Sequence, residues 1–315
     1  MKRIFDLAMR DTESMDKNTL TETIRISEGR TIVAESIVTV APLVYGVSNM
    51  ELAAAFGSDM ITLNCFDFQK PFIFGIDDAD INLSGGPSEL EKMGEIASKN
   101  AKDSDYIKRV KKIVGRLIGV NMEPVPENVR YVEGRKLNRD NLLRAKDYGF
   151  DYIVITGNPN TGVDGSTILK GIELAKEILG EDVMIIAGKM HGAGSGNIYE
   201  SEILRNFVKA GADCVLIPAP GTVPGIDLEL AKALIEAIHG EGALAMTAFG
   251  TSQEGSQKSV VEFIAIQSKM AGADIQHIGD GGYAGVATPE NIMAMSIAIR
   301  GVTHTYRRMA YSLNK

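Results

Sequence analysis

Residues 210–218 read AGADCVLIP, a glycine followed by one residue, an aspartate and an apolar run. The same junction occurs at 56–64 (FGSDMITLN), 148–156 (YGFDYIVIT) and 271–279 (AGADIQHIG). A glycine can adopt the left-handed conformation that ends a helix, and a short loop then leads into the next strand. The pattern therefore predicts four helix-to-strand junctions of one kind.

Short apolar runs alternate along the chain with longer segments of helical spacing. They predict eight strands: TIVAESI (31–37), MITLNCF (60–66), LIGVNME (117–123), YIVIT (152–156), VMIIAG (183–188), CVLIP (214–218), LAMTAF (244–249) and DIQHIG (274–279). Strands rich in Val, Ile and Leu that alternate with helices indicate a parallel sheet. Eight consecutive β-α units fit a closed barrel better than an open doubly wound sheet. We therefore predict an α/β fold, a single (β/α)8 TIM barrel over residues 31–315 after an N-terminal extension over residues 1–30.

Two long loops follow the second and third predicted strands, at 66–92 and 124–137. In a barrel both emerge on the catalytic face, where long loops commonly act as lids or substrate walls. The polar extension is expected to cover the bottom of the barrel or to join an oligomer contact. By analogy with the fold we expect a homo-oligomer.

The composition, 44% hydrophobic and 23% charged, is typical of soluble globular proteins. The net charge of −8 argues against binding to nucleic acid or to an anionic membrane. The two cysteines, Cys65 and Cys214, lie in apolar runs and are expected to be reduced and buried. Since no signal-peptide core and no apolar run of about 18 residues occurs, we expect a cytoplasmic protein without a membrane partner.

Polar residues at the carboxyl ends of the predicted strands are the candidates for chemistry, because barrels of this kind place their active sites there. The candidate catalytic residues are Glu35, Glu123, Lys189, His191, His277 and Asp280. The candidate substrate-binding residues are Asn64, Asn121, Thr156 and Asn158. Strand side chains alternate with a period of two, so Asn121 and Glu123 should share one face, as should Lys189 and His191.

Lys189 and Glu123 each allow a catalytic and a structural interpretation. Lys189 follows a buried apolar run, where partial desolvation would lower its pKa and favour a base or Schiff-base nucleophile. The alternative is an exposed or salt-bridged lysine. Glu123 is either an acid–base partner or a carboxylate with a structural partner.

The histidines bear on a metal site. No HxH or HExxH motif occurs, so a divalent metal, if the protein uses one, would need His191, His277, Glu123 and Asp280 as ligands. Otherwise the two histidines are hydrogen-bonded barrel residues. The segment GAGSGN (192–197) lacks a full dinucleotide-binding fingerprint. No cofactor is predicted, and a divalent metal is left open.

Glycine-rich loops follow the seventh and eighth strands, GTSQEGSQ (250–257) and GDGGYAGVATPENI (279–292). Clustered glycines let a backbone approach something closely, and in phosphate-binding barrels these two loops hold the phosphate. A helix should start with Thr288 as N-cap and Pro289 at its first position, adding the positive end of its dipole. The candidate phosphate-binding residues are Gly250, Thr251, Ser252, Gly279, Gly281 and Gly282.

Three acidic residues near these loops argue against the predicted phosphate site. Glu254, Asp280 and Glu290 would repel a phosphate unless their side chains point away. The alternative is that the glycines only allow tight turns between strand and helix.

The run HIGDGGYAGVATPENI resembles the strand-eight phosphate loop of sugar-phosphate isomerases, epimerases and related ribulose-phosphate-binding barrels, with a longer spacer and Asp280 among its glycines. Over its length, with GKMHGAG, LIPAPGTVPGID, GTSQEGS and GDGGYAG, the chain also resembles an uncharacterised bacterial TIM-barrel family in which some members carry a hydrolase label. DYIVITGNPNTGVD is similar to the barrel family of the photosystem biogenesis factor BtpA. None of these resemblances supplies catalytic residues.

The sequence predicts an enzyme, an isomerase or a lyase, whose partner is a small phosphorylated substrate such as a sugar phosphate. The reaction would be isomerisation, epimerisation or aldol-type cleavage. Two alternatives stay open: a hydrolase that depends on a divalent metal, and a non-catalytic barrel that binds a ligand.

Overall fold

In the computed structural model, which describes residues 1–13, 15–82, 84–191 and 199–311, eight parallel strands close into a barrel in sequence order. The strands are β1 (Thr31–Ile37), β2 (Met60–Asn64), β3 (Leu117–Met122), β4 (Tyr152–Ile155), β5 (Met184–Gly188), β6 (Cys214–Pro218), β7 (Leu244–Phe249) and β8 (Ile275–Ile278). The predicted (β/α)8 barrel is confirmed, and each predicted strand begins within one residue of an observed one.

The described residues contain α1 (Met9–Thr12), α2 (Lys17–Arg25), α3 (Asn49–Ala55), α4 (Pro87–Asn100), α5 (Tyr106–Val114), α6 (Arg139–Tyr148), α7 (Gly165–Leu179), α8 (Ser201–Ala210), α9 (Leu228–Gly240), α10 (Lys258–Ala271) and α11 (Pro289–Met309). Two helices, α4 and α5, lie between β2 and β3. Between them, the carboxylate of Asp103 accepts a hydrogen bond from the Asp105 N–H at 2.9 Å. Such local bonds compete with a helix. Among the described helices, none has the length and apolarity needed to span a bilayer.

Two apolar layers lie on either side of the barrel wall. Side chains inside the barrel, among them Val33, Met60 and Leu117 near the amino ends of their strands, form one cluster with the extension residues Ile4, Phe5, Leu7, Leu20 and Ile24. The other face of each strand packs under the helices. The extension thus fills the amino end of the barrel, which leaves the carboxyl end open for a site.

The four Gly-X-Asp junctions share one structural role. Each aspartate lies directly before an even-numbered strand and accepts a hydrogen bond, at 2.8–2.9 Å, from the N–H of the second residue of the preceding strand: Asp59 from Ile32, Asp151 from Ile118, Asp213 from Ile185 and Asp274 from Ala245. The N–H of each aspartate donates to the carbonyl of the same residue, at 2.9 Å. Buried backbone groups need such partners. The barrel is therefore built from four two-strand units, each fastened at the same point.

The four aspartates differ in the cation that each one contacts. Asp59 pairs with Arg300 at 2.7 Å and with Arg308 at 2.9 Å, and all three side chains are at most 4% exposed. The other pairs are Asp151 with Lys111, Asp213 with Lys17 and Asp274 with His239. The ring of His239 is 36% exposed, so the four junctions should differ in their contribution to stability.

Candidate active site

A cavity of about 130 Å³ lies at the carboxyl end of the barrel. Nine of the predicted site residues line it: Glu35, Asn64, Asn121, Glu123, Thr156, Asn158, His191, Gly250 and Asp280. A larger cleft, of about 570 Å³, is lined by residues next to the amino ends of β4 and β5. Because barrel enzymes keep their catalytic groups at the carboxyl end, the smaller cavity is the candidate active site.

Glu35 at the end of β1 is held by two neighbours. Its Oε2 lies 2.7 Å from Nε2 of His277, and its Oε1 accepts a hydrogen bond from Asn121 Nδ2 at 2.6 Å. Both Glu35 and His277 are nearly fully buried. His277 contacts Glu35 and is not among the described residues that line the cavity.

Asp280 brings a second carboxylate to the same cavity. Its Oδ2 accepts a hydrogen bond from Asn64 Nδ2 at 2.7 Å, and within the described chain its Oδ1 makes none. Burial, and next the negative charge of Glu35, raise the pKa of Asp280 to about 7, although the bond from Asn64 acts the other way. Asp280 can therefore gain or lose a proton near neutral pH.

Glu123 holds two loops together. One of its carboxylate oxygens accepts hydrogen bonds from the Tyr131 hydroxyl and from Asn158 Nδ2, and the other accepts the Asn158 N–H at 2.9 Å. Tyr131 belongs to the loop after β3 and Asn158 to the loop after β4. Glu123 thus holds the loops that form one wall of the cavity, and its own side chain is part of that wall.

Removing the Tyr131 hydroxyl tests this structural role. We expect Tyr131→Phe to lower the free energy of unfolding by about 1–2 kcal/mol, because a carboxylate oxygen inside the wall loses a donor. Tyr45→Phe is the matched control, since Tyr45 is 99% exposed and its loss should change stability by less than about 0.5 kcal/mol. Urea unfolding measures both. Equal effects of the two changes would show that Glu123 does not depend on Tyr131.

Lys189 and His191 take different positions. Lys189 is 1% exposed, its Nζ donates to the Val163 carbonyl at 3.3 Å, and it is not among the described residues that line the cavity. Burial lowers its pKa, as predicted. His191 does line the cavity, and burial together with the charge of Lys189 lowers its pKa. The GAGSGN segment that follows lies outside the described residues.

The glycine-rich loops lie at the mouth of the barrel, and α11 starts with Thr288 as N-cap and Pro289, as predicted. The Gly281 N–H donates to Oε1 of Glu254 at 3.0 Å. The Thr251 hydroxyl lies 2.6 Å from the Thr222 carbonyl. Two groups that the sequence assigned to a phosphate are therefore engaged within the protein, and the phosphate contact itself stays a prediction.

The candidate metal ligands do not form a compact set. Across the described part of the chain, no three His, Cys, Asp or Glu side chains lie together as a metal site requires. His277 is paired with Glu35, and Glu123 is engaged by Tyr131 and Asn158. Three protein ligands are usual for a catalytic zinc, so the metal hypothesis gains no support from this geometry.

Several residues around the site were not predicted. Met190 lines the cavity, and a Cβ on Gly250 would meet its side chain at 2.3 Å. This close packing gives Gly250 a role besides any contact with an anion. Cys65, expected inside a strand, directly follows β2 with a φ of 62° and is only partly buried, whereas Cys214 is buried as expected. The hydrophobic periodicity of the sequence does not predict a place near the site for either Met190 or Cys65.

Comparisons with known proteins extend these observations. Geranylgeranylglyceryl phosphate synthase of Ignicoccus hospitalis is 32% identical to this chain over 99 residues, which are 31% of this chain and 36% of that protein. The chain therefore matches only about a third of this relative. The resemblance to the BtpA barrel family stays a prediction.

Among solved structures, the carboxyl transferase domain of Rhizobium etli pyruvate carboxylase superimposes with a TM-score of 0.52 at 11% identity, covering 96% of this chain and 51% of that one. Thiamine phosphate pyrophosphorylase of Pyrococcus furiosus gives a TM-score of 0.46 at 15% identity, covering 86% and 98%. At such identities the first likeness supports the barrel fold alone. The family model described as domain of unknown function DUF7916 matches residues 5–315, nearly the whole chain, and the protein belongs to that family.

Proposed function

We propose that this protein is an enzyme that moves a proton to or from a carbon atom of a small phosphorylated metabolite. The reaction would be an isomerisation, an epimerisation or an aldol-type cleavage, each of which needs an acid–base group beside the reacting carbon. The observation that carries the proposal is the pair of carboxylates, Glu35 and Asp280, at one small cavity at the carboxyl end of the barrel. A neighbouring pair of carboxyl groups with separated roles is a recurring design for acid–base catalysis.

Asp280 is the proposed acid–base residue. Glu35 has both oxygens engaged, by His277 and by Asn121. Asp280 has one oxygen on Asn64 and the other without a hydrogen bond in the described chain, so it can reach a substrate proton. A catalytic pKa close to the working pH gives the most effective proton transfer, and the pKa of Asp280 lies at about 7.

The remaining polar groups divide into supporting roles. His191 faces the cavity, and its lowered pKa favours the neutral ring, which can donate a hydrogen bond to a substrate carbonyl. The Oδ1 of Asn121 is buried and has no partner in the described chain, so it is available to accept a hydrogen bond from a substrate hydroxyl. Lys189, the base predicted from sequence, is a less direct candidate because it does not line the cavity in the described chain.

The phosphorylated character of the substrate has two supports. The loops after β7 and β8 carry glycines next to the first turn of α11, an arrangement that suits an anion. The partial relative from Ignicoccus hospitalis is, by its name, a synthase of a glyceryl phosphate. Binding energy from a remote phosphate can hold the reacting end in place.

Exchange with heavy water tests the function without knowledge of the product. Triose, tetrose, pentose and hexose phosphates are incubated with the protein in D₂O, and ¹H NMR follows the loss of carbon-bound hydrogen. We expect one size class to exchange at a carbon next to the carbonyl. Isomerisation and epimerisation begin with proton transfer at that carbon, and an aldol-type cleavage ends with protonation of it. Absence of exchange across the whole panel, with the protein folded by circular dichroism, would count against the proposal.

A further inference from the structure

Glu254 is a buried carboxylate that the proposed chemistry does not use. It lies in the 3₁₀ helix Gln253–Gly255 after β7 and is 2% exposed. Its Oε1 accepts the Gly281 N–H at 3.0 Å. Its Oε2 is buried and has no hydrogen-bond partner in the described chain. A buried carboxylate oxygen without a partner costs free energy of folding, which suggests that Glu254 has a role other than stability.

The glycines of the β8 loop make room for this carboxylate. A Cβ added at Gly281 would lie 2.7 Å from Glu254 Oε1, and one added at Gly279 would lie 2.8 Å from it and 2.5 Å from the Phe249 carbonyl oxygen. A side chain at either position would therefore force the Glu254 carboxylate to move. The two glycines therefore approach an oxyanion that belongs to the protein itself, and a bound phosphate would need the same backbone surface.

The backbone around Glu254 is fixed from the neighbouring helix. Asn291, in the first turn of α11, donates from Nδ2 to the carbonyls of Glu254 and Ser256, at 2.9 Å each. A Cβ on Gly255 would lie 3.0 Å from the Cα of Gly282, so the two loops touch through their main chains. The backbone of Glu254 is thus held by contacts that do not involve its own side chain.

We propose that Glu254 is a built-in ligand of the glycine loop, and that an external phosphate group binds there only when this carboxylate has left. Glu254 would then determine specificity: it keeps the loop closed to weak anions and admits a phosphate whose substrate makes further contacts in the cavity. The inference rests on the proposed function for the identity of the anion. It concerns an anion-binding surface and not the proton transfer by Asp280, although the negative charge of Glu254 also helps to raise the pKa of Asp280.

Binding of inorganic phosphate, measured by isothermal titration calorimetry, tests this proposal. Glu254→Ala empties the position, and we expect it to bind phosphate at least about tenfold more tightly than the wild type, a difference of about 1.4 kcal/mol. Glu254→Gln keeps the shape and removes the charge, so its gain should be smaller. Glu290→Ala is the matched control, because it removes an exposed negative charge from the first turn of α11 and should change affinity less than about threefold.

The possible outcomes separate this inference from the proposed function. If Glu254→Ala binds phosphate while the wild type does not bind it detectably, the built-in ligand is supported. If the wild type and Glu254→Ala bind equally, or if neither binds, the proposal is overturned; equal binding would leave the phosphorylated substrate intact. A gain in Glu254→Gln as large as in Glu254→Ala would also overturn it, because charge repulsion alone would then suffice. If the alanine variant fails to fold, Glu254→Gln must still bind phosphate more tightly than the wild type, and equal binding of those two proteins would overturn the proposal.

Discussion

Asp280→Asn should lower the rate of solvent-hydrogen exchange on the substrate by about 10²- to 10⁴-fold, the usual contribution of one acid–base group. An asparagine can still accept the hydrogen bond from Asn64, which Asp280 receives at 2.7 Å, so the geometry of the site should persist. What disappears is the group that takes the proton. NMR-detected exchange at pH 8, with wild type and variant side by side, measures the loss.

The pH dependence gives a second readout of the same residue. If the carboxylate of Asp280 is the base, the wild-type exchange rate should fall about tenfold per pH unit below its pKa, which lies at about 7. Asn64→Ala should move this limb to higher pH, since the hydrogen bond from Asn64 lowers the pKa of Asp280. A merely structural role for Asn64 would reduce the rate without moving the limb. An Asp280→Asn variant that keeps the wild-type rate and limb would exclude Asp280 as the base.

As the pH rises, the stability contributed by Asp280 should fall while the activity that depends on its carboxylate should rise. Because the pKa of Asp280 is raised from 3.8 to about 7, the folded chain binds this proton more tightly than the unfolded chain does. The resulting stabilisation is present at low pH and is lost as the pH rises through about 7. Asp280→Asn should therefore raise the unfolding temperature at pH 8 and leave it nearly unchanged at pH 4, which separates loss of a base from loss of folding.

The sequence predicted the barrel because its decisive features are local. The Gly-X-Asp junction and the apolar run after it span fewer than ten residues, and the structure repeats both at each even-numbered strand. The same local regularity places Glu35, Asn121 and Asp280 at strand ends, where the barrel brings them to one cavity. Their separation along the chain does not matter once the strands are in order.

Contacts between distant loops could not be predicted in this way. Lys189 follows Ala187 in alternation, but Ala187 packs in the layer outside the barrel, while Met184 and Ile186 point inward. A short β5 gave no sign of which face was which. The glycines of the β8 loop indicated a close approach, yet the carboxylate that Gly281 contacts, that of Glu254, is contributed by the loop after β7. The glycines in the sequence predict a close contact, but they do not identify the group that makes it.

Asp59→Ala should cause the largest loss of stability among the four junction aspartates, about 3–5 kcal/mol in the free energy of unfolding. Asp59 is fully buried and pairs with Arg300 and Arg308, both nearly fully buried. Removing the shared carboxylate leaves two guanidinium groups without a counter-charge in the protein interior, and uncompensated buried charge is what makes broken buried pairs so costly. Asp274→Ala should cost only about 1–2 kcal/mol, because its partner His239 is partly exposed.

Replacement by asparagine separates charge from hydrogen bonding at these two positions. Both aspartates accept a strand N–H at 2.9 Å, from Ile32 and from Ala245, and an asparagine oxygen can take over that bond. Asp274→Asn should therefore stay within about 1 kcal/mol of the wild type, while Asp59→Asn should lose nearly as much as Asp59→Ala, since the arginines remain unpaired. Urea unfolding of all four variants decides between the two causes. Equal losses for Asp59→Asn and Asp274→Asn would mean that backbone carbonyls are sufficient partners for the buried arginines, as the Gly57 carbonyl is for Arg300. The hydrogen bond from the strand N–H would then account for the stability of the junction without the charge of the aspartate.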